Sequence, residues 1–133
     1  MSLERVNPPE LAPPRGFSHA VTGRGTVIFL AGQTALDQAA NIVGDGITAQ
    51  FEQALSNLLA ALRAAGGEPA MLASLTVYAT DIADYRAHAA ELGQVWRRLA
   101  GRDYPAMAVI GISRLWDKEA LVELHGHAIL TER

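Results

Sequence analysis

Apolar and polar positions along the chain switch between a period of two and a period near three and a half. Between Tyr104 and Leu130 two apolar runs, Met107–Ile112 and Ala120–Leu130, read as strands joined by a short polar connection, Ser113–Glu119. The second run alternates. Val122, Leu124, Gly126 and Ala128 fall on one face, and Glu123, His125, His127 and Ile129 on the other. Three ionisable side chains in a row on one strand face mark the place to look for chemistry, where that face meets Met107. Earlier in the chain Phe17–Thr22 and Thr26–Ala31 read as strands around a Gly23-Arg24-Gly25 hairpin turn, and Leu72–Ala79 as another strand. Helical spacing appears twice. Ile47, Phe51, Ala54, Leu55, Leu58 and Leu62 form one stripe, with Asp45 as its expected cap and Gly66-Gly67 as its stop. Tyr85, Ala89, Leu92, Trp96 and Leu99 form the second, capped by Asp81 and ended by Gly101. Residues 35–46 read as a loop, and Met1–Pro14, with four prolines, as an extended arm.

The order β-β-α-β-α-β-β predicts a single α+β domain over residues 1–133, with a sheet covered by two helices. It also bears on assembly. The inner strands are apolar on both faces, with Val27, Phe29 and Ala31 on one and Ile28 and Leu30 on the other. Two helices cover about one face, so the other needs a partner, most simply a second copy of the chain.

Composition narrows the function. At 133 residues and 50% hydrophobic, one real core is expected and disorder is not. The net charge of −3, spread along the chain, offers no basic stripe for nucleic acid. With no cysteine, disulfide scaffolds, zinc–thiolate sites and thiol nucleophiles are excluded. No apolar run approaches a membrane span, and the N-terminal residues lack the apolar core of a signal peptide, so a cytoplasmic protein is expected. Gly23-Arg24-Gly25 lacks the glycine pattern of a phosphate loop and opens no helix.

Six stretches occur in a specific order. They are Arg15-Gly16-Phe17-Ser18-His19-Ala20-Val21; Phe29-Leu30-Ala31-Gly32-Gln33-Thr34 with Leu36-Asp37; Gln50–Leu62 ahead of Ala64-Ala65-Gly66; Leu75-Thr76-Val77-Tyr78-Ala79-Thr80-Asp81; Tyr104-Pro105-Ala106; and Leu121-Val122-Glu123-Leu124. Together they resemble the RidA family, also called the YjgF/YER057c/UK114 family, from about Arg15 to Leu130. The resemblance implies a chorismate-mutase-like fold and a homotrimer whose sheets form a central barrel, with helices outside and a small-molecule cleft at each subunit interface. It implies hydrolysis of reactive enamines and imines to 2-oxo acids and ammonia, with no metal or organic cofactor. Ribonuclease and translation-inhibitor descriptions also attach to the family.

The departures fall on the family's pocket. The deaminase branch places a carboxylate-clamping arginine after Pro-Ala, where this chain has Met107. A guanidinium makes two parallel charged hydrogen bonds, and a thioether makes none. A family glutamate falls on His125, the usual tyrosine on Phe17, an asparagine on Ala89 and a proline on Trp116, while Gly32-Gln33 is retained. Arg15 and Arg114 are the candidate replacements for the missing cation. The expected substrate-binding residues are Phe17, Ser18, Gly32, Gln33, Met107 and Trp116. His125 is the candidate base, a neutral imidazole able to take a proton near pH 7. Its bland alternative is an interface histidine. His125 and His127 share a face but have no evident third ligand, so no metal is expected. Glu123 is expected to pair with a cation across the strands or to face water. Trp96 is expected in the core. The expected function is hydrolysis or deamination of an enamine-like or unsaturated metabolite other than a simple 2-imino acid. A 2-imino acid deaminase with a rearranged clamp, and a non-catalytic ligand- or protein-binding trimer, remain alternatives. A ribonuclease role lacks both an acid–base pair and a basic groove.

Overall fold

The computed structural model describes residues 2–131. In chain order its elements are β1 (Glu4–Val6), β2 (Ala20–Thr22), β3 (Gly25–Gln33), α1 (Ile47–Ala64), a 3-10 turn (Pro69–Met71), β4 (Leu72–Ala79), α2 (Ile82–Ala87), α3 (Ala89–Ala100), β5 (Ala106–Gly111) and β6 (Val122–Thr131). The main sheet runs β3-β6-β4-β5; β4 and β5 are parallel, and the other neighbours antiparallel. The α+β class expected from the pattern is the class observed.

The helices form where their stripes find the sheet. Every residue of the α1 stripe is buried, with Leu55, Leu58 and Leu62 at 0% exposure; α1 lies over β3 and β6, and its stripe joins Leu30, Leu75, Val77, Val122 and Leu124 in one core. Gly66 lies just past α1 at φ +94°, a conformation glycine adopts without a Cβ penalty, and its N–H closes the helix onto Arg63 O at 3.0 Å. The expected Asp45 cap is not formed. Gly46 occupies the cap position and makes no side-chain bond, because the chain turns into the helix one residue later. Asp81 does cap α2, accepting from Asp84 N–H at 3.0 Å. The single second helix of the sequence reading is two helices broken at His88, whose ring bonds Asp84 O at 2.9 Å.

Three strand expectations change. The segment expected as an extended arm contributes β1, which pairs with β2, and Leu3 is buried at 6% exposure; Met1 lies outside the described residues. Gly23-Arg24-Gly25 therefore joins two strands of different sheets and makes no hairpin: β2 pairs with β1, and β3 with β6. The two closing strands are not neighbours. β4 lies between β5 and β6, so consecutive strands in sequence are separated in space.

One face of the sheet carries the helices. The other does not: on the described subunit Phe29 is 79% exposed and Val27 51%, with Ile110 also exposed on the same face. Among the described residues no helix is long and apolar enough to cross a membrane.

Candidate functional site

Residues paired across strands share a face, which settles where Met107 points. Leu75 pairs with Met107 on one side and Gly126 on the other, and Leu75 is core. Met107 therefore faces the helices. Thr76 pairs with Ala108 and His125, on the opposite face. Within one subunit the Glu123–His125–His127 face and Met107 do not meet; they lie on opposite sides of the sheet with β4 between.

Met107 helps line a cavity of about 390 Å³ at the β5 edge of the sheet. Phe17 and Gly16 form one side, Tyr85, Ala89, Leu92, Gly93 and Trp96 of α2 and α3 another, and Met107–Val109 of β5 the floor, with Phe51 and Tyr104 behind and Arg15 at the lining. Trp96 stacks on Tyr104 with ring centres 5.3 Å apart and planes 14° apart, and its indole N–H donates to Asp103 O at 3.1 Å. Phe51 meets Tyr85 edge-on. Burial pushes the Tyr85 phenol up from 10.0 to about 12, so it is a neutral hydrogen-bonding group at any physiological pH. The helix face that yields Trp96 as core thus also yields a pocket wall.

Ser18 fixes the segment that carries Phe17. Its N–H donates to Pro105 O at 2.9 Å and its hydroxyl to Tyr104 O at 2.7 Å, while Ser18 itself is buried. Both bonds hold it beside the start of β5, where it bridges to Ala106. Ser18 thus positions the pocket wall and does not line it.

A second group lies elsewhere. Gly32 and Gln33 end β3 at a register irregularity against β6. A Cβ on Gly32 would sit 2.6 Å from a Glu123 carboxylate oxygen, so the missing side chain is what lets that carboxylate lie over the backbone. Tyr78, not a cation, stands opposite Glu123, and Glu123 takes part in no ion pair among the described residues. The carboxylate beside Gly32 was missed because alternation gives a face and no cross-strand partner. Next on that face His125 and His127 meet edge-on at 5.6 Å, His127 bonds Ser74 Oγ at 3.0 Å, and Phe29 packs on His127 at 5.4 Å. Among the described residues no three His, Asp or Glu side chains converge on one point. Trp116 is 91% exposed in the β5–β6 connection, and Arg114 turns back to Leu115 O and Trp116 O, away from the pocket.

Phe17, Ala89 and Met107 are thus brought together, and Gly32, Gln33, His125 and Trp116 are not. A mixed sheet with helices on one face, a pocket at one edge and polar groups toward the other makes this an α+β protein with a concave site of small-molecule size. A family model for Endoribonuclease L-PSP matches residues 8–130. A RutC family protein of Synechocystis is 35% identical over 121 residues, 90% of this chain and 89% of that one. A RutC family protein of Pyrococcus horikoshii is 33% identical over 113 residues, 84% and 85% of the two chains. The crystal structure of a Rid-family protein of unknown function from Yersinia pestis superposes with a TM-score of 0.87 at 34% identity, covering 98% of this chain and 100% of that one. A member of the YjgF/YER057c/UK114 family from Mycobacterium tuberculosis superposes at 0.66 with 30% identity, covering 86% and 87%. The chain belongs to the Endoribonuclease L-PSP family, the Rid or YjgF/YER057c/UK114 group.

Proposed function

We propose that this chain is a Rid-type enzyme that hydrolyses or deaminates an enamine-like or otherwise unsaturated metabolite, and that simple 2-imino acids are not its substrates. The observation that carries the reading is Met107 facing an apolar pocket where the family's deaminases place a clamping arginine. Loss of a bidentate charged contact in a desolvated site costs about 2 kcal/mol or more, roughly a thirtyfold rate loss.

The site is proposed to be shared between copies in a homotrimer. The pocket lies at the β5 edge of the sheet, while Gly32 and Gln33 lie on β3, the other edge, with Glu123 and His125 on its neighbour β6. A cyclic assembly would set one edge of a sheet beside the opposite edge of the next and cover the face on which Phe29 is exposed. In that arrangement a carbon of the enamine takes a proton from water and the C–N group becomes a protonated imine. Water then adds to the imine carbon and gives a proton to His125 or Glu123, which returns it to the nitrogen; the C–N bond breaks to release ammonia as the new hydroxyl gives up its proton to water and the carbonyl forms. Backbone N–H groups at Gly32-Gln33 are the proposed donors to the developing oxygen.

The test is imine decay. 2-Iminobutanoate generated in situ is followed with the native protein, without protein, and with Met107→Arg. No acceleration by the native protein, with acceleration restored by Met107→Arg, is expected. Acceleration by the native protein refutes the substrate reading and makes the arginine dispensable here. Arg15 at the pocket favours that second reading, a deaminase with a rearranged clamp. Silence from both proteins, with ligand-dependent thermal stabilisation, would point to a binding trimer instead.

A further inference from the structure

The aromatic residues of this chain are unevenly placed. Five of its eight, Phe17, Phe51, Tyr85, Trp96 and Tyr104, line the one pocket beside Met107. Arg15 is the only charged residue in that lining. It takes part in no ion pair among the described residues, and it is exposed. It directly precedes Gly16 and Phe17, the segment that Ser18 pins to Pro105 and Tyr104, so its backbone is held at the pocket although its head remains in water. The arrangement is a polarity gradient: aromatic faces and a thioether inside, Arg15 as the cation in the lining, and Arg97 outside it beside Gly93.

We infer that the pocket takes an aromatic or conjugated planar molecule carrying a carboxylate on a short arm, with the ring among Phe17, Trp96, Tyr104 and Met107 and the carboxylate at Arg15. The inference rests on the reading of this pocket as the ligand site and specifies its ligand class. Ring faces gain from offset and edge-on contact with the aromatic wall, and the sulfur of Met107 adds a polarizable contact. A small aliphatic acid leaves the wall unfilled. A carboxylate sent inward meets no cation there and would lose its water, whereas at Arg15 it gains a charged partner and stays hydrated. The exposed setting limits that partner to about fivefold in affinity, weakening with added salt.

The experiment is isothermal titration of the full chain with 1-naphthylacetate, its neutral amide 1-naphthylacetamide, and 2-oxobutanoate, repeated with Arg15→Gln and Gly93→Phe. Gly93 lines the pocket, and a Cβ there would meet only Arg97 Nη1, at 3.9 Å, so the position has room for a side chain to start from the pocket wall. The acid is expected to bind about fivefold tighter than the amide. Arg15→Gln is expected to abolish that difference while leaving the amide unchanged, and Gly93→Phe to weaken both, with no binding of 2-oxobutanoate. Equal binding of acid and amide, both lost in Gly93→Phe, would overturn the role of Arg15 and leave the pocket reading standing. Binding indifferent to Gly93→Phe, or no ring binding, would overturn the pocket reading itself. Preference for 2-oxobutanoate would overturn the ring inference and support a small-acid site.

Discussion

Gln50 is a buried polar hub, and replacing it with methionine should loosen the connection between β5 and β6. Its side chain is 4% exposed on the inner face of α1. The amide oxygen accepts from Leu121 N–H at 2.8 Å, and the amide nitrogen donates to Glu119 O at 3.2 Å and, more weakly, to Gly44 O at 3.4 Å. Gln50→Met keeps the length and removes all three. The two good bonds contribute about 1 kcal/mol each, and leaving the Leu121 N–H and Glu119 carbonyl part-buried without partners costs about 1 kcal/mol more. The apolar thioether recovers roughly 1 kcal/mol of burial. The net loss is about 2 kcal/mol. Urea unfolding followed by far-UV circular dichroism at matched protein concentration should show a lower midpoint with an unchanged slope, together with faster amide exchange at Leu121. Gln53→Met is the control, since Gln53 gives up only a bond to Asn57 at 2.9 Å on a half-buried surface. It should cost less than about 0.5 kcal/mol. If Gln50→Met costs no more than Gln53→Met, the hub does not hold the connection and the reasoning fails.

Two other perturbations reach different parts of the molecule. Phe29→Asp places a charge on the uncovered sheet face and should yield a monomer in sedimentation velocity with an unchanged far-UV spectrum; an unaltered oligomer would show that this face is not the interface. Tyr85 should be the late phenol in an alkaline absorbance titration, ionising near pH 12, and Tyr85→Phe should remove that step. Because folding raises its pKa, its contribution to stability is complete below pH 10 and is lost as pH rises through about 12. Tyr85→Phe should therefore flatten the alkaline decline.

Local periodicity carried much of the architecture. The α1 stripe is buried at every position named from spacing, β4 runs over the residues expected, and Asp81 caps where its position suggested, because each depends on near neighbours in sequence. Pairing did not follow from the sequence. Nothing local told β2 to prefer β1 over β3, or placed β4 between β5 and β6, since those choices are made by core packing. The site divides the same way. Phe17 was recognisable as a pocket residue only through family resemblance, Met107 was singled out by strand pattern but for the wrong face, and the reason they meet is Ser18 bonding to Tyr104 across 86 residues of chain. The Glu123 carboxylate over Gly32 needed the β3–β6 register, which the sequence does not carry.

The place of β6 in the sheet sets a condition on how this protein is made. β6 leaves the ribosome after every other described strand, yet it occupies an inner position and is, among the described residues, the only sheet partner of β3. A nascent chain that has reached β5 still holds β3 unpaired and β4 with one open edge, the kind of edge that recruits strands from other chains. The slot can be filled only after Val122–Thr131 has been synthesised. Premature termination in the β5–β6 connection would therefore yield a polypeptide with most of the apolar residues and no closed sheet, a substrate for proteases and chaperones.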